Sequence, residues 1–138
     1  MPDGHPEKAT IIKYLERQIL GIAKYQNNEG LWHQLLDKTD SYTESSCSAM
    51  FVYGIARAVN QGWIDDRYAS IALNGWKALK DLKITEEGQI KDICVGTGIQ
   101  DNLVFYYQRP AGLNEKHGIG AVIDAGIEVI KLKERLKK

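Results

Sequence analysis

The stretch EGLWHQLLDKTDSYTESSCSAMFVYGIARAVNQG, Glu29 to Gly62, decides the fold. Its second half reads as a helix from Glu44 or Ser45 to Gln61. Ala49, Met50, Val52, Tyr53, Ala56 and Val59 recur at three- and four-residue steps, the period of one helical face. Gly62 follows as a C-terminal glycine, and Asp40, Ser41 and Thr43 to Ser45 offer capping side chains ahead of it. The first half, Leu31 to Tyr42, shows no period and reads as short extended or irregular chain. It crowds Trp32, His33, Gln34, Tyr42, acids and hydroxyls together, more than a simple turn between helices requires.

The same helical period recurs on both sides. Upstream, Glu7 to about Gln26 carries Ile11, Ile12, Leu15, Ile19, Ile22 and Ala23 on one face and ends in the turn-rich Gln26-Asn27-Asn28-Glu29-Gly30. Pro2, Gly4 and Pro6 mark the residues before it as loop. Downstream, Asp65 is placed to cap a helix from Arg67 to about Leu82, with Tyr68, Ile71, Ala72, Gly75, Trp76 and Leu79 facing inward. Glu86 to Gln89 reads as a hairpin tip between Ile84 and Ile90. A glycine loop, Val95 to Asn102, precedes a brief apolar segment at Leu103 to Tyr107. Arg109 to Gly112 reads as a turn, and Asn114 to Gly120 leads into a last helix ending near Lys137. Four substantial helices without a βαβ alternation make an all-α protein of antiparallel helical hairpins.

Composition narrows the function. The chain has 138 residues, 18 basic and 18 acidic, and a net charge of zero. That length fits one domain, residues 1–138. Without a basic face, nucleic acid is not an expected partner, and the basic end KLKERLKK reads as a solvated helix terminus. No apolar run approaches the roughly 20 residues that a membrane span needs. The polar start MPDGHPEK has no leader-like apolar core, so a cytoplasmic protein is expected. Cys47 and Cys94 are too few for a disulfide framework and read as free thiols. His5, His33 and His117 lack metal-ligand spacing, and no metal site is expected. The Gly96-Thr97-Gly98 loop has no phosphate-loop context and reads as a tight turn. Ser45, Ser46 and Ser48 have no nucleophile elbow around them, and helix starts are commonly serine-rich.

Among the polar candidates, Trp32-His33-Gln34 combines a flat ring with hydrogen-bonding neighbours, as sugar recognition requires. A Trp that pins its loop to the core is the alternative. Asp37, Asp40, Glu44, Asp92 and Asp101 are loop acids available for acid–base chemistry. Trp63 and Trp76 read as packing residues.

GLWHQLLDKTDSYTESSCSAMF also resembles a signature of the unsaturated rhamnogalacturonyl hydrolases, glycoside hydrolase family 105, close relatives of the unsaturated glucuronyl hydrolases of family 88. Gly30, Leu31, Trp32, Gln34, Leu36, Asp37, Asp40, Ser41, Tyr42, Glu44, Ser46, Ser48, Ala49, Met50 and Phe51 fit the pattern. GTGI, YYQRP and NEKHGIGA resemble the family's C-terminal segment, and PDGHPEK resembles the linker before it. Thr43, Cys47 and Glu115 depart from the residues usual there, which are Leu, Gly and Asp.

The resemblance implies part of an (α/α)6 barrel, six helical hairpins in two rings, with the site at one end. It implies removal of an unsaturated uronic acid from oligosaccharides. An aspartic acid protonates the C4=C5 double bond and water adds at C5, with no metal or organic cofactor. It also implies that this chain corresponds to the C-terminal part of a larger enzyme. The family's catalytic aspartate and its Trp-x-Arg-x-Asn-Gly-Trp motif have no counterpart here. No catalytic residue is therefore assigned. Trp32, His33, Gln34, Tyr42 and Glu44 are the expected sugar-pocket residues. The expected partners are an unsaturated uronic-acid oligosaccharide and either a second copy of the chain or the missing N-terminal part in trans. The rival expectation is a non-catalytic carbohydrate-binding or self-associating module.

Overall fold

The structure is a computed structural model that describes residues 4–137. Pro2, expected in the leading loop, lies outside the described residues. Four long helices dominate: α1 (Lys8–Ala23), α2 (Ser45–Asn60), α3 (Ala69–Ala78) and, after the short α4 (Leu103–Tyr107), α5 (Lys116–Arg135). A 3-10 turn, Asp66–Tyr68, opens α3, and a π turn, Leu79–Lys83, closes it. Asp65 caps this unit as expected, its side chain accepting from the Arg67 N–H.

α2 is the central helix. Ser45, Ser48, Ala49, Val52, Ile55, Ala56, Ala58 and Val59 are all buried, which is most of its circumference rather than one stripe. Its small residues let neighbours approach closely. α3 runs back against α2: Gly75 lies at Val52, and Lys83 reaches Thr43 just ahead of α2. α5 lies alongside α2 in the same direction, because its end meets the end of α2 through Arg135 and the Val59 and Asn60 carbonyls. Its buried face is Gly118, Val122, Ala125, Glu128, Val129 and Leu132.

Several expectations are corrected. Met50 is 63% exposed, although the α2 stripe included it; a helix buried on many sides has no single stripe to read. Ile11 of α1 is also exposed, and Ile19 is the one fully buried residue of that helix. Trp63 does pack on a helix as expected, standing partly exposed beside Ile11, Ile12 and Leu15 at the start of α1. The expected turn at Arg109 to Gly112 contains a strand. β2 (Ala111–Gly112) pairs antiparallel with β1 (Ile93–Cys94), with Ile93 opposite Gly112. The hairpin between Ile84 and Ile90 is present as an antiparallel bridge.

One buried charge joins α2 to α5. Glu128 is 3% exposed and accepts from Arg57 Nη1 at 3.0 Å, Asn60 Nδ2 at 2.9 Å and Lys131 Nζ at 2.9 Å. Burial alone would raise its carboxyl, but Asn60, Lys131 and Arg57 together outweigh that and hold it below the ordinary value. The folded value being the lower one, the stabilisation is fully present above the ordinary glutamate value of about 4.3. It is lost as pH falls through the depressed folded value. Glu128→Ala should destabilise the fold by about 2–3 kcal/mol near neutrality, since it strips a buried charge-assisted network. Urea melts at neutral and acidic pH check this: the gap between wild type and Glu128→Ala narrows in acid, and an equal gap at both pH values contradicts the assignment.

Candidate functional site

The polar stretch ahead of α2 is a narrow loop that doubles back on itself. His33 and Thr43 bridge antiparallel, the Gln34 N–H donates to the Tyr42 carbonyl at 2.8 Å, and the Glu44 N–H donates to the Trp32 carbonyl at 2.9 Å. Ser41 ties the tip: its hydroxyl donates to the Lys38 carbonyl and accepts from the Leu35 N–H. The local fold follows from Gly30, whose φ of +104° turns the chain out of α1 and whose position faces the Asn74 carbonyl. A Cβ there would lie 2.7 Å from that oxygen.

Trp32 is fully buried, 0% exposed. Its indole N–H donates to the Ile22 carbonyl at 2.8 Å, its backbone N–H donates to Ser48 Oγ, and its ring meets Phe51 edge-on at 5.3 Å. Gly75 leaves room for it: a Cβ there would lie 3.1 Å from the indole. The ring therefore has no face for a sugar, which corrects the stacking role that its polar neighbours suggested. It pins the loop to α1 and α2.

Glu44 is corrected as well. It is 2% exposed and serves as the N-cap of α2. Oε1 accepts from the Ser46 and Cys94 N–H groups at 3.0 and 2.9 Å, and Oε2 accepts from the Cys47 N–H at 2.5 Å. Glutamate is not among the usual capping residues, so the sequence pointed to the hydroxyls around it instead. A carboxylate so buried, and turned toward these N–H groups, does not face outward to a sugar hydroxyl.

His33, Gln34 and Tyr42 are half-buried, and Gln34 and Tyr42 come together at Cys94. Gln34 Nε2 lies 3.6 Å from Cys94 Sγ, and Thr97 Oγ1 lies 3.3 Å from the same sulfur. The Tyr42 hydroxyl is buried beside the Cys94 thiol. Burial first, and the neighbouring Cys94 thiol next, push its phenol well above the ordinary range, so it stands as a neutral donor. His33 is occupied inward, its Nδ1 lying 2.5 Å from the Ser41 carbonyl oxygen. Sequence reasoning missed Cys94 and Thr97 as members of this group. They lie far along the chain, and it is the Glu44 carboxylate on the Cys94 N–H, with Ser45 on the Lys91 and Asp92 carbonyls, that brings them to α2.

Around this group stands an exposed rim. The Tyr107 hydroxyl donates to Asp40 Oδ1 at 2.8 Å, and Arg109 donates to the Gly96 carbonyl while its guanidinium lies 4.9 Å from the Phe105 ring centroid. Two further loop acids are held by cations: Asp37 meets Lys38 at 2.9 Å, and Asp92 meets the buried Lys83 at 2.6 Å, while Asp101 stands exposed beside α4. His117 is exposed at the start of α5, and His5 Nδ1 accepts from the Glu7 N–H. Among the described residues no three His, Cys, Asp or Glu side chains converge as metal ligands.

Residues 1–133 match the profile of Glycosyl Hydrolase Family 88. The chain belongs to that family. It is 32% identical to the unsaturated rhamnogalacturonyl hydrolase YesR of Bacillus subtilis over 133 residues, 96% of this chain and 36% of that protein. It superposes with a TM-score of 0.87 on the crystal structure of a possible member of the GH105 family from Salmonella enterica, at 30% identity, covering 98% of this chain and 35% of that one. A family 105 glycoside hydrolase of C. acetobutylicum gives 0.88 at 26% identity, over 94% and 40%. The fold is that of the (α/α)6 toroid, and the chain spans about a third of the length of the curated relatives it matches. It corresponds to a portion of the family's enzymes, the C-terminal portion that its motifs resemble.

Removing the cap should damage the scaffold rather than a sugar contact. Glu44→Ala strands the N–H groups of Ser46, Cys47 and Cys94 together, a cost of about 2–4 kcal/mol. Thermal or urea unfolding measures it; a variant as stable as wild type contradicts the capping role.

Proposed function

We propose that this chain forms the floor and part of the rim of an unsaturated-uronyl oligosaccharide pocket, of the rhamnogalacturonyl hydrolase type, and that it is inactive alone. The observation that carries the reading is the gathering of Gln34, Tyr42 and Thr97 on one mouth. Gln34 and Tyr42 come from the family-like motif, and Thr97 comes from the family-like glycine loop. An amide and a hydroxyl at the surface are suited to sugar hydroxyls, and the neutral Tyr42 phenol lies buried behind them against Cys94.

The chemistry supports the second half of the proposal. Hydration of a C4=C5 double bond needs a proton donor aimed at the ring and a water beside it. The acids at this mouth serve other ends. Glu44 is an internal cap, Asp92 is bound to Lys83, Asp37 to Lys38, and Asp40 accepts from Tyr107. The acid then belongs to the remainder of the toroid, and the glycan is recognised jointly.

An ultraviolet time course with an unsaturated rhamnogalacturonyl disaccharide tests the inactivity. The expected trace is flat, and decay of the C4=C5 absorbance overturns it. Titration of the same sugar followed by NMR tests the floor: the Gln34 side-chain amide and the Thr97 backbone amide should shift, and Gln34→Ala should weaken the effect several-fold. Absence of any shift at these two residues overturns the pocket assignment. Trp32→Ala is the wrong probe, because it unfolds the loop.

A further inference from the structure

Arg109 is a cation on the rim without an anion of its own. Arg57, Arg67 and Arg135 each pair with a carboxylate, at 3.0, 3.0 and 2.7 Å. Arg109 pairs with no carboxylate among the described residues. It donates instead to the Gly96 carbonyl, from Nε at 2.9 Å and from Nη2. That occupies one edge of its guanidinium. A guanidinium carries five N–H donors in a planar fork, so the outer Nη1–Nη2 edge is left open. Nη1 has no protein partner and is not buried. One face of the plane is covered by the Phe105 ring, whose centroid lies 4.9 Å away. Each of these contacts contributes little in solvent, but together they settle which edge is free.

This free edge lies beside the sugar-facing group. Gly96 immediately precedes Thr97, whose hydroxyl lies 3.3 Å from Cys94 Sγ in the mouth. The same glycine loop is tied to α4 a second time. The Gln100 N–H donates to Tyr106 Oη at 3.0 Å, and that hydroxyl donates to the Gln100 carbonyl at 3.1 Å. Thr97 sits between the two ties, so it and Arg109 are kept together. Lys38, near Tyr107 on the same rim, is already held by Asp37 at 2.9 Å. The mouth therefore sets neutral hydrogen-bonding groups, Gln34 and Thr97, next to an uncommitted guanidinium. The fork matches a carboxylate through two parallel N–H···O bonds, an arrangement that a single sugar hydroxyl cannot accept.

We propose that Arg109 is the carboxylate-binding residue of this mouth: its Nη1–Nη2 edge takes the carboxylate of an acidic sugar and selects uronic acids over neutral sugars. The inference rests on the pocket reading above and adds the residue that reads the charge. Two ligands that differ in the charge of one group test it: the unsaturated rhamnogalacturonyl disaccharide and its methyl ester, each titrated against the purified chain by NMR. The acid should bind about fivefold tighter than the ester, an advantage that shrinks as salt is raised. Arg109→Gln, which keeps an amide donor for the Gly96 carbonyl, should remove most of that advantage while ester binding and the melting temperature stay as in wild type. Arg109→Lys, with the charge but no fork, should retain part of it. If Arg109 only ties the glycine loop, Arg109→Gln weakens both ligands alike, and that result overturns the proposal. So does equal affinity of the wild type for acid and ester. Shifts at Gln34 and Thr97 with both sugars in such a case leave the pocket reading standing while this one falls; no shift with either sugar removes both.

Discussion

The Glu44 carboxylate is the point from which the rest of the molecule is arranged. One buried anion accepts from the first turn of α2 and from β1 at the same time. Placing a carboxylate in the interior costs several kcal/mol unless its lone pairs are filled. Here they are filled by backbone N–H groups, and the positive end of the α2 dipole favours the charge further. The consequence is long-range. Cys94 is held to the start of α2, so the strand pair with Ala111 and Gly112 is held there too, and with it the chain that leads into α5. A neutral cap such as serine reaches one or two N–H groups of its own helix. A glutamate reaches across to another segment.

This anchoring divides the mouth into a stiff floor and a looser rim. Beneath, Trp32 is locked by its two hydrogen bonds and by Phe51, and Lys83 binds both Asp92 and the Thr43 carbonyl from the π turn at the end of α3. Asp92 adopts a φ of +56°, a conformation that a non-glycine residue holds only where its surroundings over-determine it. Above, the contacts Tyr107–Asp40 and Arg109–Gly96 lie in solvent, where such bonds contribute little. The result is that Gln34 and Tyr42 sit on the firm side of the mouth, and Tyr107 and Arg109 on the loose one.

Much of this was legible in the residues and some was not. The four long helices followed from three- and four-residue periods, the end of α2 from Gly62, and the hairpin at Ile84 and Ile90 from its glycine tip. Depth was harder to read. Trp32 sits in a polar neighbourhood along the chain, and nothing local says that Ile22, Ser48 and Phe51 converge on it. Met50 occupies a correct helical step and still faces outward, because the period gives an angle around the helix and not which angles have neighbours. The capping role of Glu44 is local but falls to a residue type seldom used there, and the membership of Cys94 depends on a contact between segments 50 positions apart, which leaves no local trace.

The family resemblance and the physics of the acids converge on one division of labour. A proton donor must keep its proton until the substrate takes it, so it cannot also be an internal cap or the partner of a fixed cation. In this chain Glu44 and Asp92 are used in those ways, and each use is needed where it occurs: Glu44 to start α2, Asp92 to satisfy buried Lys83. Recruiting either for catalysis would remove a support of the floor on which the sugar would rest. Glu44 and Asp92 are thus committed to the scaffold, and the division of labour proposed above rests on that commitment.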